Sequence, residues 1–284
     1  MLYKKGLFLY IMNNNNSILL VAPNFDQLAA SACNLTVKIG MDSFSYAVIN
    51  NANQQVIALY DEQECDINAF NLKELFEKNS HLSLAYQETK IAFYADDEIS
   101  IPADLFDENS VELHSKLIKN NASINVFKQA HFGFTTIFGL SKSVQNLINS
   151  QLGNVKMYPH YAGLLALAEH NENTQLFLDF TANSFTALLI KNQQVIFQKS
   201  YETENAEELN YFILLLINQL TISTNEISVR LSGIIHQDDH KYQCLQKYFS
   251  KIEFVQLAKD LNLELLEDMP AHYYTNLIAL TQCG

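Results

Sequence analysis

Two stretches of the chain share one layout: residues 35–61, LTVKIGMDSFSYAVINNANQQVIALYD, and residues 176–200, LFLDFTANSFTALLIKNQQVIFQKS. Before a polar turn Leu35 aligns with Leu176, an offset of 141 residues. After the turn Gln54 aligns with Gln193, an offset of 139, so the turn of the second copy is two residues shorter. A change in length at a turn leaves the flanking strands undisturbed. The identical positions are Leu35 and Leu176, Ser43 and Ser184, Phe44 and Phe185, Ile49 and Ile190, and Gln-Gln-Val-Ile at 54–57 and 193–196. The repeat predicts a duplicated structural unit.

Each copy of the repeat predicts three strands. In the first copy, apolar and β-branched residues alternate or run together over 35–39, 44–49 and 55–60, and polar residues 50–53 supply a turn. Beyond each copy, apolar residues at helical spacing alternate with short apolar runs. Three meandering strands followed by alternating helices and strands predict an α/β fold. Each half is expected to hold a mixed sheet with helices on both faces.

The rest of the chain predicts the domain organisation. The polar segment 171–174 is the best boundary between domains. We predict a first domain over 1–171 with a subdomain inserted at about 80–130, a second domain over 172–269, and a C-terminal helix in 270–284 that packs back on the first domain. Outside the repeat we predict helices over 67–78, 111–118, 206–220 and 239–249, a helix capped by Ser141, a helix from Pro159 to near His170, and a last helix after Pro270. Further strands are expected at 91–94, 98–101, 134–138, 155–158, 227–235 and 252–257.

The composition argues against nucleic acid and membrane spans. The net charge is −13, and Arg230 is the single arginine among scattered lysines, so no basic face can be assembled to neutralise phosphates. No apolar run approaches the roughly 20 residues of a membrane span. Four cysteines without CxxC spacing are typical of free thiols in a reducing compartment, so we expect a cytoplasmic protein. Met12 is a candidate start, which would make residues 1–11 an extension.

The repeat and the order of elements resemble the actin-like ATPase superfamily, which includes sugar kinases, actin and heat-shock chaperone ATPase domains. The resemblance covers residues 35–280, and within the superfamily the chain looks closest to an uncharacterised bacterial family. It implies two duplicated ribonuclease-H-like domains with mixed five-stranded sheets that flank a cleft. In active members the first hairpin of each domain holds phosphate and magnesium, and a late loop holds adenosine. ATP or ADP with magnesium is therefore the cofactor that the resemblance would supply.

The residues at the two phosphate motifs depart from the superfamily pattern. That pattern is Asp-x-Gly, in which the carboxylate binds the metal and the glycine lets the main chain approach phosphate. The first motif here has Lys38 in place of the acid and keeps Gly40, whereas the second keeps Asp179 and has Thr181 in place of the glycine. A lysine cannot coordinate a cation, and the threonine side chain would crowd a bound phosphate. Hydrolysis by the usual route is therefore not expected, and neither is a bound cofactor.

The degenerate nucleotide cleft has two further candidate features, an incomplete adenosine motif and a pair of serines in the repeated turns. The adenosine motif normally has two glycines after an apolar strand, and this chain has Ser232 and Gly233. Ser43 and Ser184 lie in the repeated turns, where active relatives often place a hydroxyl near phosphate. The alternative role for both serines is hydrogen bonding within a tight turn.

The repeat also predicts a contact between the two halves. It places Lys38 and Asp179 at equivalent positions, and in this fold the two first strands face each other across the cleft. We therefore hypothesise an ion pair that closes the vacated magnesium site. The alternative is that each side chain keeps to its own environment.

One other cluster has residue types that bind metals. His236, Asp239 and His240 lie together, and imidazoles four residues apart can share one helical face and bind zinc. The competing interpretation is that the aspartates turn the chain and cap a helix.

The helix predicted over 206–220 has an unbroken apolar run, Tyr211 to Ile217. Complete burial is the first expectation, and an apolar face for a protein partner or a homodimer is the alternative. We expect a non-catalytic binding or scaffolding module of the actin-like ATPase fold. The alternatives are a nucleotide-binding protein, or a weak ATPase or small-molecule kinase of the same fold.

Overall fold

The computed structural model describes residues 16–23, 25–118, 122–153, 155–168 and 173–284. The expectations about residues 1–11 and about a helix end near His170 fall outside these ranges. The strands are β1 Ser17–Val21, β2 Cys33–Ile39, β3 Ser43–Asn50, β4 Gln55–Gln63, β5 Glu88–Phe93, β6 Glu98–Pro102, β7 Ala122–Gln129, β8 Phe134–Ser141, β9 Lys156–Pro159, β10 Gln175–Phe180, β11 Ser184–Lys191, β12 Gln194–Glu202, β13 Ser228–Gly233 and β14 Ile252–Phe254. The helices are α1 Ala69–Lys78, α2 Val111–Ser115, α3 Lys142–Leu152, α4 Ala162–Ala166, α5 Ala206–Gln219, α6 His240–Gln246 and α7 Thr275–Ala279.

Two mixed sheets with the same strand order form the body of the protein. The first has six strands in the order β1-β4-β3-β2-β5-β9, and the second has five in the order β12-β11-β10-β13-β14. In both, three antiparallel strands from the repeat are followed by two parallel ones. The α/β class and the mixed sheets are confirmed. The first sheet has one more strand than predicted, because β1 pairs with the outer edge of β4.

The repeated unit matches in register as well as in sequence. The pairing of β3 with β4 shifts between Val48 and Ile49, and the pairing of β11 with β12 shifts between Leu189 and Ile190. Val48 and Leu189 are equivalent positions of the aligned repeat, directly before the identical pair Ile49 and Ile190. One extra residue therefore bulges at the same place in each hairpin.

A third sheet corrects the predicted limits of the insertion. Its strands are β6, β8 and β7, which lie between residues 98 and 141. Strand β5 was predicted inside the insertion, yet it pairs in parallel with β2 in the first sheet. Strand β8 was predicted outside it, yet it pairs with β6 and β7. The sequence could not resolve this because an apolar run does not reveal its parallel partner. The boundary near residue 171 is not described, so the division into domains stays a prediction.

Side-chain caps set the starts of the longer helices. Ser141 accepts a hydrogen bond from the main chain of α3, as the sequence predicts, and Asn68 and Asn205 do the same for α1 and α5. Such caps satisfy amide groups that have no partner in the first turn. They fix where each helix begins relative to the strand before it.

The expectation that α5 is completely buried is wrong. Its buried residues are Leu209, Ile213 and Leu216, which face the second sheet, whereas Tyr211 is 62% exposed. The helix is covered on one side by the sheet and by α6, and its opposite side faces outward. Although apolar residues occur on every side of the helix, only one side is buried.

Candidate functional site

The two repeated turns, which follow β2 and β10, lie next to each other. The main-chain N–H of Gly40 donates to the carbonyl of Ser43 at 2.8 Å, and the N–H of Thr181 donates to the carbonyl of Ser184 at 2.9 Å. These are the same hydrogen bond in the two copies of the repeat. The turns are close enough for side chains of one to bond the other.

Lys38 and Asp179 form the ion pair that the repeat predicts. Nζ of Lys38 lies 2.5 Å from Oδ2 of Asp179, and their side chains are 11% and 2% exposed. Asp179 also accepts hydrogen bonds of 2.7 Å from Oγ of Ser232 and 2.7 Å from Nδ2 of Asn276. Burial acts to raise the pKa of Asp179, but the positive charge of Lys38 and these hydrogen bonds lower it below its usual range. The carboxylate is thus charged and fully engaged.

Asp42 makes a second contact across the cleft that the sequence did not suggest. Its carboxylate accepts from Oγ1 of Thr181 at 2.7 Å, from the main-chain N–H of Asn183 at 2.9 Å and from Oγ of Ser184 at 3.0 Å. Two hydroxyls and one amide converging on a single anionic group resemble the way a loop holds a bound anion. A carboxylate from one turn therefore accepts hydrogen bonds from three donors of the other.

Little open space remains between the turns. A cavity of about 20 Å³ lies between Lys38, Asp61, Thr181, Gly233 and Tyr274. A volume of that size holds about one water molecule.

Asp61 is a buried carboxyl on the wall of this cavity. It accepts a hydrogen bond of 2.9 Å from Nε2 of Gln63, whose Oε1 accepts from the main-chain N–H of Ala182 at 3.0 Å. Burial raises its pKa to about 7, although Gln63 and Lys38 act to lower it. Asp61 therefore changes its charge near neutral pH.

Both retained glycines are closely packed, but only Gly233 is packed against main chain. A Cβ on Gly40 would lie 2.4 Å from Oγ of Ser43, because the turn brings that hydroxyl over the glycine. Gly233 has φ of +77°, and a Cβ there would lie 2.0 Å from the carbonyl oxygen of Phe180. Gly233 therefore allows β13 to end against β10. The main chain of the second sheet, and not a ligand, accounts for this glycine.

His160 approaches the cleft from the first sheet, directly after β9. Its Nε2 lies 2.9 Å from Oγ of Ser200, and its carbonyl accepts a hydrogen bond of 3.3 Å from Nδ2 of Asn276. Burial, and then the charge of Lys38, lowers its pKa to about 3, so the imidazole is neutral at physiological pH. Because Asn276 also bonds Asp179, α7 links the two sheets at this point.

One of the three metal candidates, Asp239, caps a helix. Asp239 accepts from the N–H of Tyr242 at 2.6 Å and from the N–H of His236 at 3.0 Å, so it is the N-cap of α6, which begins at His240. The capping interpretation is confirmed. Across the described ranges, no three His, Cys, Asp or Glu side chains are grouped to hold a metal ion.

Sequence reasoning found Lys38 and Asp179 and missed Asp42, Asp61, His160 and Asn276. The repeat itself held a signal for Asp42, because this acid aligns with Asn183 beside the shared Ser-Phe pair. An acidic residue in one turn opposite hydroxyl residues in the other suggests a hydrogen-bonded contact. His160 and Asn276 left no such signal, since neither lies in the repeat.

Two sheets of one strand order, meeting at the ends of their first hairpins, define the actin-like ATPase fold. A Bacteroides thetaiotaomicron protein described as having this fold and unknown function is 19% identical, with a TM-score of 0.72 over 92% of this chain and 99% of that chain. PilM, in a PilM-PilN type IV pilus biogenesis complex, is 12% identical, with a TM-score of 0.62 over 88% of this chain and 97% of that chain. The chain belongs to the family described as "Protein of unknown function (DUF3822)", whose model matches residues 22–252. Among curated proteins, none matches the chain.

Proposed function

We propose that the protein is a non-catalytic binding or scaffolding module of the actin-like ATPase fold. The observation that supports this best is the internal occupation of the cleft. Lys38 lies where the superfamily pattern has a metal-binding acid, and Asp42 lies against the loop where that pattern holds phosphate. The protein's own cation and anion thus take the places of magnesium and phosphate.

The charge arrangement opposes binding of a divalent cation. Magnesium in phosphate sites needs carboxylate oxygens that remain open to it. Both oxygens of Asp179 already accept hydrogen bonds, and one of them lies 2.5 Å from the ammonium of Lys38. A metal ion would have to displace this buried ammonium group.

The packing opposes binding of a triphosphate. Three donors of the loop between β10 and β11 are satisfied by Asp42 and a fourth, the N–H of Ala182, by Gln63, and the cavity between the turns has a volume of about 20 Å³. Small-molecule sites in proteins typically have volumes of about 300–1,000 Å³. A nucleotide would need the two sheets to separate and Asp42 to leave its partners.

A protein partner fits this role. PilM, which shares the fold, is seen in a complex with PilN. None of the helices in the described ranges has the length and hydropathy to span a bilayer. We also propose a cytoplasmic location, since the thiols of all four cysteines are unpaired, as is usual in a reducing compartment.

One observation favours the alternative of nucleotide binding. A cavity of about 830 Å³ opens beside Ile234, which follows Gly233, and between the first turns of α5 and α6. Nζ of Lys241 lies in its lining and donates to the carbonyl of Ala182 at 2.7 Å. The cavity is large enough for a nucleoside, but the phosphates would point to the closed turns.

Thermal unfolding with millimolar ATP or ADP, each with and without magnesium, separates these functions. The scaffold proposal predicts no change in Tm, because a ligand raises Tm only when it binds the folded state. Adenosine alone serves as a control for the cavity beside Lys241. A rise in Tm with ATP but not adenosine would contradict the proposal, and release of inorganic phosphate would establish the enzymatic alternative.

A further inference from the structure

In the five-stranded sheet β12 is an edge strand, whereas its counterpart in the six-stranded sheet, β4, is covered by another strand. Strand β12 is the last strand of the five-stranded sheet, and no strand in the described part of the chain pairs with its outer side. Its counterpart β4 has the short strand β1, SILLV, along the same side. An open strand edge presents main-chain donors and acceptors that another strand can pair with.

The pairing of β1 with β4 indicates which main-chain groups of β12 face outward. The N–H of Ala22 donates to the carbonyl of Ile57 at 2.8 Å, and the N–H of Gln63 donates to the carbonyl of Asn16 at 3.0 Å. Alternate residues of β4 from Ile57 to Gln63 therefore point their main chain at β1. Because Ile57 aligns with Ile196 in the repeat, the same pattern falls on Ile196, Gln198, Ser200 and Glu202.

The bulge in β12 does not block strand addition. Bulges commonly protect edge strands because they twist the ladder away from a partner. The bulged residue is Ile196 in β12 and Ile57 in β4. Ile57 nevertheless bonds β1 through its carbonyl. The same geometry on β12 is therefore compatible with a paired strand.

The side chains along this edge define the chemistry of an occupant. Ile196 is 51% exposed, which favours apolar side chains in a partner strand. Lys199 is exposed, and it is the only lysine or arginine between residues 192 and 229. It aligns with Tyr60, which faces Leu19 of β1. A carboxylate at the position of Leu19 would thus lie opposite an exposed cation.

We propose that the outer edge of β12 accepts an extended apolar peptide strand from another protein, with an acidic residue opposite Lys199. Strand addition of this kind takes affinity from main-chain hydrogen bonds and specificity from alternate side chains. A second copy of the chain fits less well, because two molecules of net charge −13 repel each other. No residue of β12 lines the small cavity between the turns, so the inference does not depend on whether the cleft binds nucleotide.

Amide hydrogen exchange of the full chain tests this with two synthetic peptides. Both have the sequence of residues 16–22, one with Leu19→Glu and the other with Leu19→Lys. At millimolar peptide we expect slower exchange at the amides of Gln198, Ser200 and Glu202, but not at the alternating positions between them. The acidic peptide should bind about two- to five-fold more tightly than the basic one, the range of an opposite-charge pair across two strands.

The variant Lys199→Glu is the matched control, because Lys199 is exposed and we expect its replacement to leave the fold intact. It should reverse the preference, so that the basic peptide binds more tightly. No protection of β12 with either peptide would overturn the proposal. Protection that grows with protein concentration in the absence of peptide would also overturn it and assign the edge to a second copy.

Discussion

Lys38 and Asp179 hold the same position in two copies of one hairpin, and their charged groups meet at 2.5 Å across the cleft. In the superfamily pattern both positions have carboxylates, which repel each other unless a cation lies between them. In this chain one of the two carries the cation itself. The lysine side chain thus supplies the positive charge that joins the two hairpins across the cleft.

Replacement of this cation should destabilise the fold. Lys38→Met leaves Asp179 charged, buried and without its ionic partner, and we expect a loss of about 3–5 kcal/mol in the free energy of unfolding. Urea unfolding measures the loss. The double variant Lys38→Met with Asp179→Asn should be more stable than Lys38→Met alone, since no buried charge remains. A single variant as stable as the wild type would mean that the pair contributes nothing to closure.

Removal of the internal anion should create a site for an external one. Asp42→Ala leaves the hydroxyls of Thr181 and Ser184 and the N–H of Asn183 without their acceptor, at a cost of about 1–3 kcal/mol. Millimolar sulfate or phosphate should then raise Tm more in this variant than in the wild type. The control is Asp26→Ala, which removes the same charge from an exposed side chain that caps a short 3-10 helix, Gln27–Ala32. An equal rise in both variants would show a general salt effect and contradict an anion site.

Asp61 should make stability fall as pH rises. Its pKa is about 7 in the folded protein and about 3.9 when unfolded, so the folded state binds more protons between these values. Stability is therefore lost progressively from about pH 4 to pH 7. Asp61→Asn removes the loss and should stabilise the protein at pH 8 by up to about 4 kcal/mol, at 1.36 kcal/mol per pKa unit.

Urea unfolding of the wild type and of Asp61→Asn at each pH tests this prediction. Comparison at equal pH cancels the opposite contribution of His160, whose pKa is lowered to about 3, so that acid destabilises its neutral form. Glu98→Gln is a useful control because burial also raises the pKa of Glu98 to about 7, away from the two turns. A constant difference in stability between Asp61→Asn and the wild type across pH would refute the assignment.

Two glycines with positive φ should respond differently to alanine. Gly153 and Gly233 have φ of +72° and +77°, a region that other residues rarely adopt, so each substitution strains the main chain by about 1–3 kcal/mol. Apart from its chain neighbours, no atom of the described residues lies within 4 Å of a Cβ on Gly153, whereas a Cβ on Gly233 would lie 2.0 Å from the carbonyl oxygen of Phe180. We expect Gly233→Ala to cost about 1–3 kcal/mol more than Gly153→Ala in urea unfolding. Equal losses would contradict the close approach of β13 to β10.

The sequence predicted the parts of the fold that the repeat encodes. The strands of both hairpins and the pairing of Lys38 with Asp179 follow from equivalent positions, because similar sequences build similar hairpins and the fold sets these face to face. The helix caps at Ser141 and Asp239 follow from local rules. In each case the relevant interaction is either local or duplicated.

The remaining features depend on segments that neither local pattern nor repeat connects. Strand β5 was assigned to the insertion because its apolar run gives no sign that its partner is β2. Asn276 lies 97 residues beyond Asp179, and nothing near it in sequence indicates a polar contact there. The raised pKa of Asp61 is a property of the assembled cleft, since burial causes it. These contacts become visible only in three dimensions.

The double contact of Asn276 with His160 and Asp179 has a consequence for the order of folding. Lys38 cannot meet its partner until 141 further residues have been made, and the amide that fixes this partner comes another 97 residues later. During synthesis, the first hairpin therefore exists before its ionic partner, and both hairpins exist before the amide of Asn276. Because α7 lies near the C-terminus, the contacts of Asn276 join residues far apart in the sequence. Such contacts slow folding, because loop entropy is lost before they form.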